Sequence, residues 1–230
     1  MQRSEKITYV KEIFKSIQGE GPYVGFEQIF VRFCKCNLAC AYCDTNYKPD
    51  MNTPRLSSTE LLNKIEEVGT NNIHSISLTG GEPLLDVIFL KDFLEKNTHK
   101  IYLETNGTLV RELRKIIKFV DIVSMDIKLN SATKLENLLK RHKVFINICV
   151  KYKKDIFLKV VFDETISEEE IKSCIELAKK HHLLIVLQPV MINNSMRITP
   201  RELIDIHSKF IGQYDNIRLI PQVHKFIQVE

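Results

Sequence analysis

Three cysteines within eight residues give the chain its strongest chemical signal. Cys36, Cys40 and Cys43 follow a C-x3-C-x2-C spacing directly after an apolar segment. Thiolates this close together can converge on one metal centre, and soft sulfur ligands select iron–sulfur clusters, zinc or Cu(I). A 4Fe–4S cluster normally takes four cysteines, so a set of three leaves one iron open to a substrate or cofactor.

Two other interpretations of these cysteines stay open from the residues alone. Cys34 could be a fourth ligand of a structural zinc site, although four cysteines within ten residues are cramped for the usual two-pair spacing. The thiols could also pack in the core as small hydrophobic side chains. For Cys149 and Cys174, which fall in a predicted strand and a predicted helix, we expect burial in the core.

Glycine is scarce in this chain and is concentrated near other unusual residues. Glycine usually makes up ~7% of the residues of a protein. The eight glycines of this chain are about half of that share. Five of the eight are Gly19, Gly21, Gly25, Gly80 and Gly81. Glycine lets the backbone approach a ligand closely, and the glutamate in Gly80-Gly81-Glu82-Pro83 can complement an ammonium group. This segment therefore predicts a ligand-binding turn, with a simple turn before a helix as the alternative.

These residues must be positioned by elements that alternate along the chain. Apolar runs of strand length alternate with amphipathic segments that begin with helix-capping pairs. These pairs are Ser57 with Glu60, Ser167 with Glu170 and Thr199 with Glu202. Such alternation predicts βαβ units and a parallel sheet. The predicted strands are 7–17, 28–33, 73–78, 101–104, 120–127, 156–162, 183–187 and 217–220, with a further strand predicted at Cys149. The predicted helices are 57–68, 84–97, 111–118, 132–141, 167–180 and 199–210.

Six or seven parallel strands are too few for a closed eight-stranded barrel. We expect an α/β fold, a partial, open TIM-like barrel of about six parallel strands with helices outside, with a doubly wound sheet as the alternative. Residues 1–230 would form a single domain, made of an N-terminal hairpin (1–33), a cysteine loop (34–50) and the partial barrel (51–230). In both folds ligands bind at the carboxyl ends of the strands.

The composition argues against several functional classes. A chain with 44% apolar and 27% charged residues is typical of a globular protein. A net charge of +4 and 8% aromatic residues do not suggest nucleic-acid binding. No apolar run approaches the ~18 residues of a membrane span, and residues 1–6 lack the apolar core of a signal peptide. We expect a cytoplasmic protein, in which clustered cysteines indicate metal or redox chemistry.

The cysteine spacing and Gly80-Gly81-Glu82-Pro83 resemble the signatures of radical S-adenosylmethionine (SAM) enzymes. A closer resemblance, which spans nearly the whole chain, is to the 7-carboxy-7-deazaguanine synthases of that superfamily. It rests on segments 12–21, 30–32, 43–45, 104–108, 124–128, 187–189 and 221–225 and on Gly25. Its most specific parts are Gln18-Gly19-Glu20-Gly21 and Pro221-Gln222-Val223-His224-Lys225.

The resemblance implies a partial barrel of the radical-SAM type and a radical ring contraction. The substrate would be 6-carboxy-5,6,7,8-tetrahydropterin, and the products 7-carboxy-7-deazaguanine and ammonia, on the route to the 7-deazaguanine bases of tRNA. The implied cofactors are a 4Fe–4S cluster, SAM and Mg²⁺. The implied partners are an external electron donor of the flavodoxin or ferredoxin type and a second copy of the chain in a homodimer. No membrane and no direct contact with nucleic acid are expected.

The resemblance also assigns roles to individual residues. The cluster ligands would be Cys36, Cys40 and Cys43, and Thr45 would bind Mg²⁺. The contacts to SAM would be Tyr42, Asp44, Gly81, Glu82, Ser124, Lys128 and Gln188. The contacts to the substrate would be Gln18, Gly19, Glu20, Arg32, Thr79 and His224. Arg32 would pair with the substrate carboxylate through two hydrogen bonds; the alternative is a salt bridge within the barrel.

Two residues depart from the family pattern. Lys35 stands where the family usually has glycine before the first cluster cysteine, which leaves the local backbone conformation open. Tyr42 replaces the usual tryptophan and keeps an aromatic ring near the cofactor. Two alternative functions remain: a glycyl-radical-enzyme activase of the same superfamily, which would not need Gln18-Gly19-Glu20, and a zinc-stabilised RNA-binding module.

Overall fold

A computed structural model describes residues 6–192 and 195–229. The prediction that the chain has no signal peptide concerned residues 1–6, and residues 1–5 lie outside the described residues. The strands are β1 (Ile7–Ile17), β2 (Glu27–Phe33), β3 (Arg55–Ser57), β4 (Ser75–Gly80), β5 (Ile101–Thr105), β6 (Ile122–Ile127), β7 (Asp155–Phe162), β8 (Ile185–Pro189), β9 (Met191–Ile192), β10 (Ser195–Met196) and β11 (Ile217–Leu219). The helices are α1 (Ser58–Val68), α2 (Val87–Lys96), α3 (Val110–Ile116), α4 (Asn130–Thr133), α5 (Leu139–Lys151), α6 (Glu168–Lys179), α7 (Pro200–Ile211) and α8 (Val223–Ile227).

One mostly parallel sheet organises the described residues. Its strand order is β11-β8-β7-β6-β5-β4-β2-β1-β3. Neighbours from β11 to β2 run parallel, whereas β1 pairs antiparallel with both β2 and β3. Because β2 belongs both to the hairpin and to the parallel run, the described sheet has seven parallel strands rather than about six. Its edges, β3 and β11, are not paired with each other, so the barrel is open. The predicted α/β class is confirmed.

The two faces of the parallel strands differ because successive side chains point to opposite sides of a sheet. On β4, Ile76 and Leu78 are fully buried in the main apolar core. The alternate residues Ser77 and Thr79 instead hydrogen-bond to Glu104 of the neighbouring β5. The inner face of the open barrel is therefore polar where the outer face is apolar.

A small apolar cluster closes the barrel at the amino ends of its strands. Tyr102, Ile122, Phe157 and Val186 come from the first half of four successive parallel strands and pack together, with Tyr23 against them. The polar inner face is consequently accessible from the opposite, carboxyl end of the strands.

The predicted helix over 132–141 is wrong in its extent. Helix α4 ends at Thr133, and Lys134 follows with a left-handed φ of 61°. Helix α5 starts only at Leu139 and continues to Lys151, so Cys149 lies in a helix rather than in the predicted strand. The buried residues of α5 repeat at helical spacing, but the apolar run Val144–Val150 resembles a buried strand in sequence.

The other predicted helices and strands are present with small shifts at their ends. The capping boxes predicted from Ser57, Ser167 and Thr199 are formed at the starts of α1, α6 and α7. The sequence did not predict β3, the β9–β10 hairpin or α8. No helix in the described ranges is long and apolar enough to cross a membrane.

Candidate active site

Two adjoining cavities open at the carboxyl ends of the parallel strands. The cysteine cavity, about 170 Å³, lies beside the cysteine loop. The hairpin cavity, about 380 Å³, lies beside the β1–β2 hairpin and α8. Residues that line both are Glu20, Asp44, Thr45, Thr79, Gly80, Glu104 and Gln222. Because so many residues are shared, the two cavities are parts of one site.

The three thiols of the C-x3-C-x2-C segment all line the cysteine cavity. Cys43 is exposed, whereas Cys36 and Cys40 are half-buried and burial raises the pKa of both thiols. No three His, Cys, Asp or Glu side chains in the described ranges surround a single ion position. Ligands of a cluster bind different irons, so their sulfurs need not be spaced around one ion. Three thiols on one cavity wall therefore fit a three-cysteine 4Fe–4S cluster.

The remaining cysteines lie in the interior. Cys34, Cys149 and Cys174 are all buried, and none of them is among the residues that line the two cavities. The expectation that Cys149 and Cys174 belong to the core is confirmed.

The end of β4 holds the start of the cysteine loop. The Lys35 carbonyl accepts a hydrogen bond from the Glu82 N–H at 2.9 Å. A Cβ atom on Gly81 would lie only 1.8 Å from that carbonyl oxygen. The sequence predicted that this glycine lets the backbone approach a ligand; Gly81 does line the cysteine cavity, but its close approach is to the loop backbone.

Glu82 is buried and has partners within the protein. Its carboxylate accepts hydrogen bonds from the N–H groups of Leu84 at 3.1 Å and Asn106 at 2.8 Å, and from the Thr105 hydroxyl at 2.9 Å. Burial nevertheless raises the pKa of Glu82 to about 7. Glu82 is not among the residues lining either cavity, and its contact with SAM stays a prediction.

Tyr42 and Lys128, both predicted to contact SAM, are neighbours in the cysteine cavity. The Lys128 ammonium lies 3.1 Å from the Tyr42 hydroxyl and 2.7 Å from Asp126. Gln188, on the same wall, is buried, and its Oε1 has no hydrogen-bond partner among the described residues. An unsatisfied buried acceptor is costly, so this wall fits a ligand that donates a hydrogen bond.

Ser124, like Glu82, lies outside the cavity lining, and its contact with SAM stays a prediction. It is buried on the inner face beside Glu104 in the strand register, and its hydroxyl bonds to Tyr102. It is absent from the residues that line the two cavities. Asp44, by contrast, lines both and forms an ion pair of 2.6 Å with Lys225.

Gln18 and Glu20 lie at the junction of the hairpin with the barrel. Gln18 is buried; its amide donates to Gln28 at 3.0 Å and to Glu104 at 3.2 Å, and its Oε1 accepts from the Glu20 N–H at 3.0 Å. Glu20 pairs with Lys159 and accepts from Gln222 at 2.8 Å. Glu104 also accepts from Thr79 at 2.7 Å. Three of the predicted substrate residues, Gln18, Glu20 and Thr79, are thus linked by hydrogen bonds, with Glu104 joining Gln18 to Thr79.

Gly19 is in contact with the C-terminal segment. Its carbonyl accepts a hydrogen bond from Val223 at 2.9 Å, and a Cβ atom at this position would lie 2.3 Å from the His224 ring. Both Gly19 and His224 line the hairpin cavity. This glycine therefore makes room for the predicted substrate histidine.

Arg32 lines the hairpin cavity and forms an ion pair of 2.6 Å with Glu12 on the neighbouring strand. Its guanidinium also lies 4.7 Å from the centre of the Phe14 ring. The salt bridge considered as an alternative is therefore present. A guanidinium has five N–H donors, so this pairing leaves donors for a ligand carboxylate.

Several residues in the cavity walls were not predicted as site residues, and four of them belong to the central hydrogen bonds and ion pairs of the site. They are Glu104, Asp126, Lys159 and Gln222. Lys159 had a signal in the sequence, because it is the single charge within the apolar run 156–162. The other three lie inside segments that carry the family resemblance.

The sequence and the fold are similar to those of known proteins. Residues 30–205 match the family model of the radical SAM superfamily. A protein named 7-carboxy-7-deazaguanine synthase from Methanothermobacter thermautotrophicus is 36% identical, over 94% of this chain and 95% of that protein. One of the same name from Geobacter sulfurreducens is 32% identical, over 95% and 96%. The crystal structure of QueE from Escherichia coli superposes with a TM-score of 0.64 at 23% identity, covering 95% of each chain, which shows a shared fold.

Proposed function

We propose a function from the premise that this chain belongs to the 7-carboxy-7-deazaguanine synthases of the radical SAM superfamily. The protein converts 6-carboxy-5,6,7,8-tetrahydropterin to 7-carboxy-7-deazaguanine and ammonia. One observation carries the proposal. The three thiols line a cavity that shares its wall with a second cavity lined by Gln18, Gly19 and Glu20. A cluster site and a pterin site would then be adjacent, as radical transfer over a short distance requires.

The cysteine cavity would hold the cofactors. Cys36, Cys40 and Cys43 would bind the 4Fe–4S cluster, and SAM would lie against Tyr42, Gly81, Lys128 and Gln188. When bound, this pair supplies one-electron chemistry that starts a radical reaction. The acceptor of Gln188 and the Tyr42 ring would orient SAM by a hydrogen bond and by stacking.

The hairpin cavity would hold the pterin. Glu20 would accept hydrogen bonds from the guanidine-like N–H edge of the ring, and Arg32 would bind the substrate carboxylate. His224 and Thr79 would complete the contacts from the two sides. The apolar cluster at the opposite end of the barrel keeps water from entering beneath the substrate.

Thr45 would bind Mg²⁺. It lies in the wall common to both cavities, and a hydroxyl is the kind of hard oxygen ligand that Mg²⁺ takes alongside ligand oxygens. An assay with and without Mg²⁺ tests this part of the proposal, and a Thr45→Ala variant should keep its cluster while losing the response to Mg²⁺.

The activity test is anaerobic incubation with reductant, SAM, Mg²⁺ and the carboxytetrahydropterin, with 7-carboxy-7-deazaguanine as the readout. The Cys40→Ala variant should lose iron, absorbance near ~400 nm and product together. The matched control is Cys34→Ala, which removes a buried thiol outside the cavities and should retain all three. Absence of product from the wild-type protein would contradict the proposal, and loss of the cluster in Cys34→Ala would favour a four-cysteine site instead.

The electron donor, the homodimer and the cytoplasmic location are further proposals. They rest on the family resemblance and on the clustered cysteines of the sequence. Sedimentation of the anaerobic protein measures the oligomeric state, and reduction of the cluster by flavodoxin or by ferredoxin identifies the donor class.

A further inference from the structure

A buried lysine in the wall of the cysteine cavity pairs with a glutamate that lines both cavities. Lys159 is 6% exposed and lines the cysteine cavity. Its ammonium pairs with Glu20 and lies 3.1 Å from the Asp126 carboxylate. Lys159 on β7 and Asp126 on β6 are opposite each other in the strand register. A buried ammonium is costly unless it is paired and hydrogen-bonded. The two carboxylates, one from the hairpin and one from β6, meet this requirement.

Glu20 is the member of this group that reaches both cavities. Its two carboxylate oxygens accept from Lys159 and from Gln222. The titratable groups that face Glu20 are Lys159 from β7, Asp126 from β6, Glu104 and Tyr102 from β5 and His224 from α8. Two of these are carboxylic acids, so Lys159 supplies the cation that opposes them.

The protonation of the two glutamates follows from this arrangement. Burial alone would raise the pKa of Glu20, but the charge and hydrogen bond of Lys159 outweigh it and the pKa is lowered. For Glu104, burial dominates and the pKa is raised. Of the two glutamates that line both cavities, Glu20 and Glu104, the one paired with Lys159 is therefore held in its ionised form.

We infer that Lys159 is a positioning residue for the substrate: anchored by Asp126, it holds Glu20 as an ionised hydrogen-bond acceptor facing the N–H edge of the pterin. The inference rests on the proposed function, because it requires a ligand with such an edge. An ionised carboxylate only accepts hydrogen bonds, whereas a protonated one also carries an O–H donor that clashes with an N–H edge.

The test measures pterin affinity by calorimetry on the anaerobic holoenzyme between about pH 6 and about pH 9. The Lys159→Met variant removes the charge and raises the pKa of Glu20. We expect its dissociation constant to exceed that of the wild type about tenfold or more at the acid end. The deficit should shrink as the pH rises, because Glu20 then ionises. Lys159→Arg keeps the charge and should show the pH profile of the wild type.

The matched control is Lys96→Met, which removes a lysine paired with Asp92 outside the two cavities; it should bind the pterin as the wild type does. A double-mutant cycle separates positioning from general structure. In a Glu20→Gln background, Lys159→Met should cause little further loss of affinity, and this pair also avoids leaving a buried carboxylate without its cation. It remains informative if Lys159→Met alone does not fold.

Two results would overturn the inference. Lys159→Met could bind the pterin like the wild type at every pH. The pterin affinity of Lys159→Met could also fall by the same factor at every pH, and by that factor again in the Glu20→Gln background. That pattern is the signature of a purely structural residue. Failure of the proposed function is a separate result, since wild-type protein would then form no product.

Discussion

Lys35 adopts a left-handed backbone conformation, with a φ of 71°, at the entrance to the cysteine loop. The family resemblance places glycine at this position, and the structure shows why: the loop needs a φ that glycine adopts without cost. Lysine pays a penalty of about 1 kcal/mol there. The Lys35 N–H nevertheless donates a hydrogen bond to the Tyr47 carbonyl, and the Lys35 carbonyl accepts one from the Glu82 N–H.

A Lys35→Gly substitution should therefore stabilise the protein. We expect a net gain of less than about 1 kcal/mol in the free energy of unfolding, measured by chemical denaturation, because glycine relieves the strain but also adds freedom to the unfolded chain. The control is Lys48→Gly in the same loop, where φ is not positive and glycine only adds freedom to the unfolded chain. A loss of stability in Lys35→Gly equal to that of the control would refute the strain at Lys35.

Glu82 should make stability depend on pH. Its pKa is about 7 in the folded protein, against 4.5 in the absence of burial. The folded state thus binds the Glu82 proton more tightly than the unfolded state does. The resulting stabilisation is fully present below about pH 4.5 and is lost as the pH rises through about 7. The difference amounts to about 3 kcal/mol.

The Glu82→Gln variant should lack this dependence. Between about pH 5 and about pH 8, the unfolding free energy of the wild type should fall by more than that of the variant. Parallel changes in the two proteins would mean that Glu82 titrates normally, held ionised by its three hydrogen-bond donors.

At the scale of elements, the end of β4 and the start of the cysteine loop act as a unit. Gly81 permits the contact that ties Glu82 to Lys35. A methyl group at this position would displace the first turn of the loop and with it Cys36. The cluster site therefore depends on a residue that need not touch the cluster.

We accordingly expect Gly81→Ala to lose most of its iron, measured as iron per protein and as absorbance near ~400 nm after anaerobic reconstitution. Gly212→Ala is the matched control, because Gly212 has a helical φ and a Cβ there meets only the Ser208 carbonyl at 3.2 Å. A Gly81→Ala protein with full iron content would show that the loop adapts.

The elements were predictable where local signals agree. Capping residues and apolar periodicity located most helices and parallel strands, and the carboxyl ends of those strands located the cavities. The pairs Glu20 with Lys159 and Asp44 with Lys225 were not predictable, since each joins residues more than a hundred positions apart. Such pairing is set by how strands and segments pack, which no local pattern encodes. The extent of α5 was missed for the opposite reason, because the mostly apolar run Val144–Val150 hid its helical spacing.

At the scale of the whole molecule, the C-terminal segment closes the side of the site that the open barrel leaves free. Val223 bonds to Gly19, Gln222 to Glu20, and Lys225 pairs with Asp44 of the cysteine loop. Hairpin, cysteine loop and C-terminal segment thereby share one boundary of the hairpin cavity.

Lys225→Met should weaken this closure without unfolding the protein. Asp44 is half-exposed, and an ion pair of this kind contributes less than about 1 kcal/mol. We expect a KM for the pterin raised several-fold, about threefold to tenfold, with little change in Tm. Lys209→Met, which breaks an exposed pair with Glu168 on the outer helices, should change neither quantity. An unchanged KM in Lys225→Met would mean that the segment closes the site without this ion pair.

The contact between Glu20 and Gln222 also has a consequence for protein synthesis. It joins residues 202 positions apart. At ~5–20 residues per second, a ribosome makes Gln222 roughly 10–40 s after Glu20. During that interval the nascent hairpin has no segment around Gln222 to dock against, and Glu20 lacks one of its partners. The pocket for the small molecule is thus completed only after Gln222 is made, long after the cysteine loop has left the ribosome.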